Sequence, residues 1–245
     1  MRILLPPSET KHPGGDGAPL DLAALSFPEL TPARDALIEA LAALSTDLPR
    51  ARAAIGTPPS KDHEVAQNTL LRSNPTMPAL DRYTGVLFDA LGAGTMTKIQ
   101  RARADARLVI TSATFGMVGA ADPIPTYRFS QGSRLPVLGT PESFWRSRLD
   151  GVLGDPDELV LDLRSGAYAA FARVPHALPS RVLTEAADGS RSIVSHFSKH
   201  AKGVLARALS TSRAELGDRA AVLRVARTAG LRVEPWGRTG IQVVT

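Results

Sequence analysis

The chain opens on Ile3-Leu4-Leu5, an apolar run stopped by Pro6-Pro7, which predicts a short buried strand over 2–5. A polar loop follows to Pro19, with Gly14-Gly15-Asp16-Gly17 as its most pliable part. Thr31-Pro32 reads as an N-cap followed by proline at the first helical position. Leu37, Ile38, Leu41 and Leu44 then share one face of a helix over 33–44, which Pro49 stops. Further along, the pattern predicts a polar helix over 61–72 and two helices over 83–91 and 96–106, the second capped by Thr95. A buried strand over 108–111 leads into a long polar loop rich in Gly and Pro, 112–134. A helix over 141–153, a strand over 159–163 and paired strands over 181–185 and 191–195 come next, the pair turning at Asp188-Gly189. The chain closes with helices over 199–209 and 213–230 and a hairpin from Leu231 to Val244. Strands and helices alternating in this way predict one mixed α/β domain over 1–245.

Composition narrows the chemistry. The 245 residues are 43% hydrophobic and 22% charged, the profile of a globular protein that needs no staple to hold a core. There is no cysteine, which excludes disulfides, thiolate catalysis, Cys-ligated zinc and iron–sulfur clusters. No apolar run approaches the roughly 20 residues of a membrane span, and the first is too short for an export signal, so a cytoplasmic protein without a membrane partner is expected. The net charge is +5. Residues 181–245 hold 11 Lys and Arg against 5 Asp and Glu, a net of +6, so the remainder is close to neutral. That asymmetry points to an anionic partner, or to solvated basic helix faces.

In α/β sheets ligands gather beyond the carboxyl ends of strands, and four polar clusters fall there. They are Ser8 to Lys11; Ser112 to Gly116 running on to Asp122 and Tyr127-Arg128; Arg164-Ser165-Gly166-Ala167-Tyr168; and Ser195 to Gly203. Each combines hydroxyls with cations, a mixture suited to an anion. In an enzyme reading, Arg128, Arg164, Lys199 and Lys202 would hold charge and His196 would move a proton, with His196, Lys199 and Arg128 as the catalytic candidates. Ser8, Lys11, Tyr83, Ser112, Tyr127, Arg164, Ser165 and Lys202 would bind the ligand. His196 and His200 are four apart, but no acidic residue accompanies them, so no metal site is expected. No phosphate-binding Gly-rich loop, dinucleotide fingerprint or hydrolase elbow is present, and no cofactor is expected.

The stretch 83–106 has a second reading. A helix, then Leu91-Gly92-Ala93-Gly94-Thr95, then a helix bearing Lys98, Arg101 and Arg103 resembles a helix-hairpin-helix element. Gly92, Gly94 and Thr95 would let backbone approach a DNA phosphate, and the basic side chains would extend the contact. The same residues also suit an ordinary glycine stop and a new N-cap.

Taken together, Leu4 to Lys11, Tyr83 to Leu87, Ile110 to Arg128, Phe144-Trp145, Asp162 to Tyr168 and Ser195 to Gly203 resemble, in order and spacing, the bacterial peroxide-stress protein YaaA family. The resemblance implies a cytoplasmic protein induced by hydrogen peroxide that limits unincorporated iron and so protects against oxidative damage. It also implies a single mixed α/β fold with a positively charged cleft, and double-stranded DNA binding through a helix-hairpin-helix element. Better-known members carry Ser-Pro-Ala-Lys after the first strand; here Pro6-Pro7-Ser8-Glu9 stands there and Lys11 comes two positions later. Where those members read Ala-Ser-Asp, this chain has Leu163-Arg164-Ser165-Gly166. Two functions are expected on this basis: a DNA-binding stress protein, or an enzyme acting on an anionic or nucleobase-like small molecule in a pocket formed by the four strand-end loops.

Overall fold

A computed structural model describes residues 1–193 and 195–245, without the side chains of 195–197. Eleven strands run along the described residues: β1 Arg2–Leu5, β2 Gly17–Pro19, β3 Pro75–Pro78, β4 Leu108–Ser112, β5 Gly116–Gly119, β6 Pro123–Ile124, β7 Val160–Asp162, β8 Leu178–Glu185, β9 Arg191–Ser192, β10 Val233–Trp236 and β11 Gly240–Val244. Ten helices join them: α1 Thr31–Ser45, α2 Leu48–Ile55, α3 Asp62–Ala66, α4 Ala79–Arg82, α5 Val86–Leu91, α6 Lys98–Arg107, α7 Pro141–Trp145, α8 Gly166–Ala169, α9 Ser195–Thr211 and α10 Arg219–Thr228. The expected mixed α/β architecture is present.

Seven strands of the main sheet lie in the order β10-β11-β8-β7-β1-β4-β5, with β9 added on β8. The five central strands β11, β8, β7, β1 and β4 are parallel; β5 and β10 run antiparallel at the two edges. Helices cover the central strands on both faces, which is why β1 and β4 read as unbroken apolar runs. Ile3, Leu4, Leu5, Leu108, Val109 and Ile110 are all buried. A second sheet, β2-β3-β6, is built from proline-containing strands and was not legible as strand. Proline is tolerated there because each strand is two to four residues long and pairs over few positions.

Several helices differ in extent from the pattern. Pro49 does not simply stop α1: it sits in the first turn of α2, whose N-cap Asp47 accepts from the Arg50 amide. The 61–72 stretch divides into α3 and a 3-10 turn at 67–70. Helix α6 starts at Lys98, and its cap is Thr97, not Thr95: Thr97 and Gln100 form a reciprocal capping box. The 112–134 loop contains β5 and β6. The helix expected over 141–153 ends at Trp145, whose indole donates to the Ala113 carbonyl at 2.8 Å. Among the described residues no helix is long and apolar enough to cross a membrane.

Helices α5 and α9 make the tightest crossing in the fold and flank the sheet reversal between β1 and β7. Ala201, Leu205, Ala206 and Leu209 form the buried face of α9. The two helices approach so closely that a Cβ on Gly203 would lie 2.2 Å from the Leu87 carbonyl oxygen and 2.8 Å from Ala90 Cβ. Glycine is therefore required at this crossing. Gly203→Ala is expected to cost about 1–3 kcal/mol by overpacking and to lower the melting temperature by roughly 2–12 °C. Gly94→Ala, where a Cβ meets nothing within 4 Å, is expected to leave it unchanged. Thermal unfolding of the two variants checks the contrast.

Candidate functional site

Strand β1 pairs with β4 on one side and with β7 on the other. The chain thus reverses direction across the sheet between β1 and β7, the position where open α/β sheets bind ligands. A cleft of about 620 Å³ opens there. Its walls are the loop after β1 (Pro6 to Thr10), the entry to α5 (Thr84 to Phe88), Gln131, the loop after β7 with the start of α8 (Ser165, Ala167, Tyr168), and α9 through Ser198, Lys199 and Lys202.

The β1 loop is fixed by a short backbone pairing. The His12 amide donates to the Arg82 carbonyl at 2.9 Å, and the Thr84 amide donates to the Thr10 carbonyl at 3.2 Å. Arg82, fully buried, donates to the carbonyls of Ile124, His12 and Pro75, so one guanidinium ties the loop to β3 and β6. Lys11 and Tyr83 are thereby placed opposite each other.

Behind this pairing lies a chain of hydroxyls. Ser112 Oγ, at the end of β4, accepts from the amides of Thr114 and Phe115 and lies 2.9 Å from the Tyr127 hydroxyl. With both lone pairs occupied, it donates its own proton to Tyr127. The Tyr127 and Tyr83 hydroxyls are 2.7 Å apart. One phenolic proton of this pair has no acceptor among the described residues. Burial raises the Tyr83 phenol to about 12 and pushes Tyr127 well above the ordinary value, so both stay protonated donors.

Lys11 Nζ lies 4.1 Å from the centroid of the Tyr127 ring and donates to the carbonyls of Ser8 and Glu9 at 3.1 and 3.2 Å. No carboxylate pairs with it among the described residues, because Arg128 engages both neighbours, Glu9 and Glu64, at 3.3 Å. Burial, reinforced by the Arg128 charge, lowers the Lys11 amine to about 7, although Glu64 and Glu9 oppose the shift. Across the cleft, Lys202 donates to the Arg164 carbonyl at 3.1 Å, and its burial likewise lowers its affinity for a proton.

The structure therefore brings Ser8, Lys11, Tyr83, Ser112, Tyr127 and Arg128 into one cluster, and Ser165, Lys199 and Lys202 onto the facing wall. Arg164 lies beneath that wall with its fork on Asp162 at 2.9 and 2.7 Å and a further bond to Ala172. The His196 side chain lies outside the described residues. Gly92, Gly94, Thr95, Lys98, Arg101 and Arg103 lie beyond the other end of α5. Residues the sequence left unmarked are Arg82, Glu64 and Asn68, which clamps the Arg128 backbone at 2.8 and 2.9 Å; Tyr168, the last residue of the third polar cluster, accepts from the Gln131 amide through its hydroxyl. The stretch Ala79-Leu80-Asp81-Arg82-Tyr83 carries no local sign that Arg82 is buried, since the charged Asp81 stands beside it.

The depressed Lys11 value has a sign that can be checked. Between pH 7 and the unfolded value near 10.5, the unfolded chain binds a proton that the folded chain has released, so stability rises with pH across that window. Below pH 7 both states are protonated, and the cost of burying the charge is present in full. Lys11→Met is expected to flatten the rise between pH 7 and 10, measured as unfolding midpoints against pH beside the wild type.

Comparison with known proteins agrees with this architecture. A family model described as peroxide stress protein YaaA matches residues 1–235. A UPF0246 protein of Corynebacterium efficiens is 50% identical over 238 residues, 96% of this chain and 95% of its own length. Relatives from Corynebacterium glutamicum and Streptomyces coelicolor are 46% and 39% identical over comparable spans. A match over almost the whole length shows that the chain belongs to the peroxide stress protein YaaA family.

Proposed function

We propose that this protein binds double-stranded DNA in the cytoplasm through the α5–turn–α6 element during peroxide stress, and so limits free iron and oxidative damage. The observation that supports the DNA reading is the form of the hairpin. Helix α5 ends at Gly92 in the left-handed conformation (φ 62°), a 3-10 turn spans Ala93–Thr95, and α6 begins at Lys98. Gly94, Thr95, Lys98 and Ile99 are exposed. At the start of the ten-residue α6 the Gln100 amide is taken by Thr97 Oγ1, which leaves the Lys98 and Ile99 amides without a carbonyl within the helix, beside the Lys98 charge. Arg207 of α9 bonds the carbonyls of Leu91 and Gly92 at 2.8 and 2.6 Å and adds positive charge beneath the turn. Arg101 contributes to stability instead: its guanidinium is bidentate to Asp81 at 2.8 Å and also pairs with Asp105.

The experiment is fluorescence anisotropy with a labelled duplex over a salt series. Lys98→Glu is expected to weaken binding roughly 3- to 10-fold near 0.1 M salt and to reduce the salt slope by about one or two. Arg101→Ala is expected to lower thermal stability without changing that slope. Equal affinity of wild type and Lys98→Glu would remove the hairpin from the interface.

The second reading concerns the cleft. Its position at the β1/β7 reversal, with Lys199, Lys202 and Ser165 on one wall, favours an anionic small molecule as ligand. The two readings use different surfaces, joined by the six residues of α5, about 9 Å of helix.

A further inference from the structure

The chain has five lysines among its 29 basic residues, and three of them, Lys11, Lys199 and Lys202, belong to the cleft and its margin. Arginine serves nearly everywhere else. The two amino acids differ in one chemical respect that a site can use: a lysine can lose its proton and become a nucleophile, whereas arginine stays charged. Lys199 and Lys202 line the cleft directly. Lys11 sits behind Ser8 and Glu9, both of which line it, and donates to their carbonyls.

Burial and the charges of Arg128 and Arg82 disfavour the charge of the Lys11 amine and outweigh Glu64 and Glu9, which act the other way. Tyr127 and Tyr83 present ring faces at 4.1 and 5.6 Å. Arg128 approaches from the loop after β6 and claims Glu9 and Glu64, the two carboxylates that would otherwise neutralise the amine. Arg82 lies on the remaining side, its guanidinium on backbone carbonyls, with no carboxylate partner among the described residues. An amine lowered to about 7 is about half neutral at pH 7, whereas an ordinary lysine is neutral in roughly one molecule in a few thousand. Next to it stands the Tyr83–Tyr127 pair, with one phenolic proton that no described group accepts.

We propose that Lys11 is a nucleophile toward an anionic aldehyde bound in the cleft, forming a Schiff base. This deepens the cleft reading above and rests on it. Lysines 199 and 202 with Ser165 hold the phosphate or carboxylate of the ligand. Lys11 Nζ leaves the Ser8 and Glu9 carbonyls and attacks the aldehyde carbon. A C–N bond forms, the carbonyl π pair moves to oxygen, and the phenolic proton of the tyrosine pair is donated to that oxygen. A proton lost from nitrogen restores the phenol. The restored phenol then protonates the hydroxyl, the C–O bond breaks as the nitrogen lone pair forms the C=N bond and water departs, and the remaining N–H proton returns to the phenolate; aldehyde plus amine gives imine plus water, with no change of oxidation state. A free phosphorylated aldehyde offers this chemistry, and so does the opened sugar of a damaged DNA strand delivered from the hairpin at the other end of α5.

The test is reductive trapping on the full chain. The protein is incubated with glyceraldehyde 3-phosphate, or with a duplex bearing one abasic site, in the presence of sodium cyanoborohydride, and the modified lysine is located by mass spectrometry. Lys11 is expected to carry at least about ten times the adduct of any other lysine at pH 7. Excess inorganic phosphate is expected to suppress the small-molecule adduct. Lys11→Arg, checked for folding by circular dichroism, is expected to abolish both adducts. An adduct at Lys11 with the small aldehyde alone assigns a free ligand, and one with the duplex alone assigns damaged DNA. Adducts that favour surface lysines such as Lys61 or Lys98, or that persist in Lys11→Arg, overturn the proposal. Calorimetry with glycerol 3-phosphate, which has no carbonyl, separates the two levels. Binding without trapping overturns the nucleophile and leaves the anion cleft intact; no binding overturns the cleft reading itself.

Discussion

Arg82 is the constraint on which the site depends. Its guanidinium is completely buried and satisfied by carbonyl oxygens from three separate segments, the β1 loop, β3 and β6. Burying a charge without a carboxylate costs several kcal/mol unless its hydrogen bonds are made, so these segments are held to the positions that make them. The 10–12 and 82–84 pairing is a consequence, and with it the seat of Lys11 above Tyr127. Arg34 uses the same device at β5, bonding the carbonyls of Ser26, Phe115 and Met117. Asp122 completes this arrangement by accepting from the amides of Ser26 and Gly119. Both arginines act as cross-links between loops, which is why the strand ends converge although they are far apart in sequence.

The electrostatic character of the surface depends on where the charges find partners. Many arginines of the last quarter are held in place by groups of the same quarter. Arg191 and Arg232 pair with Glu185 and Glu234. Arg181 bonds Gln242, Arg227 bonds the Val233 carbonyl and Arg219 bonds the carbonyls near Gly237. These bonds fix the side chains in place but leave the net +6 of this quarter unchanged, because Glu185 and Glu234 are already counted in it and the amide and carbonyl partners are neutral. Arg101, Arg128 and Arg164 are likewise engaged by acidic residues. The groups left to meet a ligand are lysines and hydroxyls. All three tyrosines of the chain, Tyr83, Tyr127 and Tyr168, are buried around the cleft, and burial keeps each of them protonated.

The hairpin and the cleft share α5, and α5 is held by the close crossing with α9 at Gly203. A helix of six residues has little stability of its own. Its orientation is set by packing: Leu87, Phe88 and Leu91 are buried, and Phe88 stacks on Tyr83 at 5.3 Å. A ligand that shifted Tyr83 would press on the same helix that presents the glycine turn.

The local signals in the sequence were sufficient for the parallel core. Continuous apolar runs at 2–5 and 108–111, their proline and serine stops and the alternation with helices determined a mixed α/β fold, because strands covered on both faces leave that pattern in any context. The strand-end loops and their hydroxyl-bearing residues were visible for the same reason. Tertiary structure alone decided the short proline strands and the true start of α6, whose pairings and caps depend on distant or competing neighbours. It also decided which of the charged residues are engaged internally and which face the cleft. Arg101 and Lys98 stand three positions apart on one helix, yet Arg101 is held by Asp81 and Asp105 while Lys98 is exposed. Lys11 has no distinctive local sequence; its shifted protonation arises first from burial and then from the Arg128 and Arg82 charges, against the pull of Glu64 and Glu9. Charge, burial and reactivity are properties of surroundings, and those surroundings are assembled from residues more than a hundred positions apart.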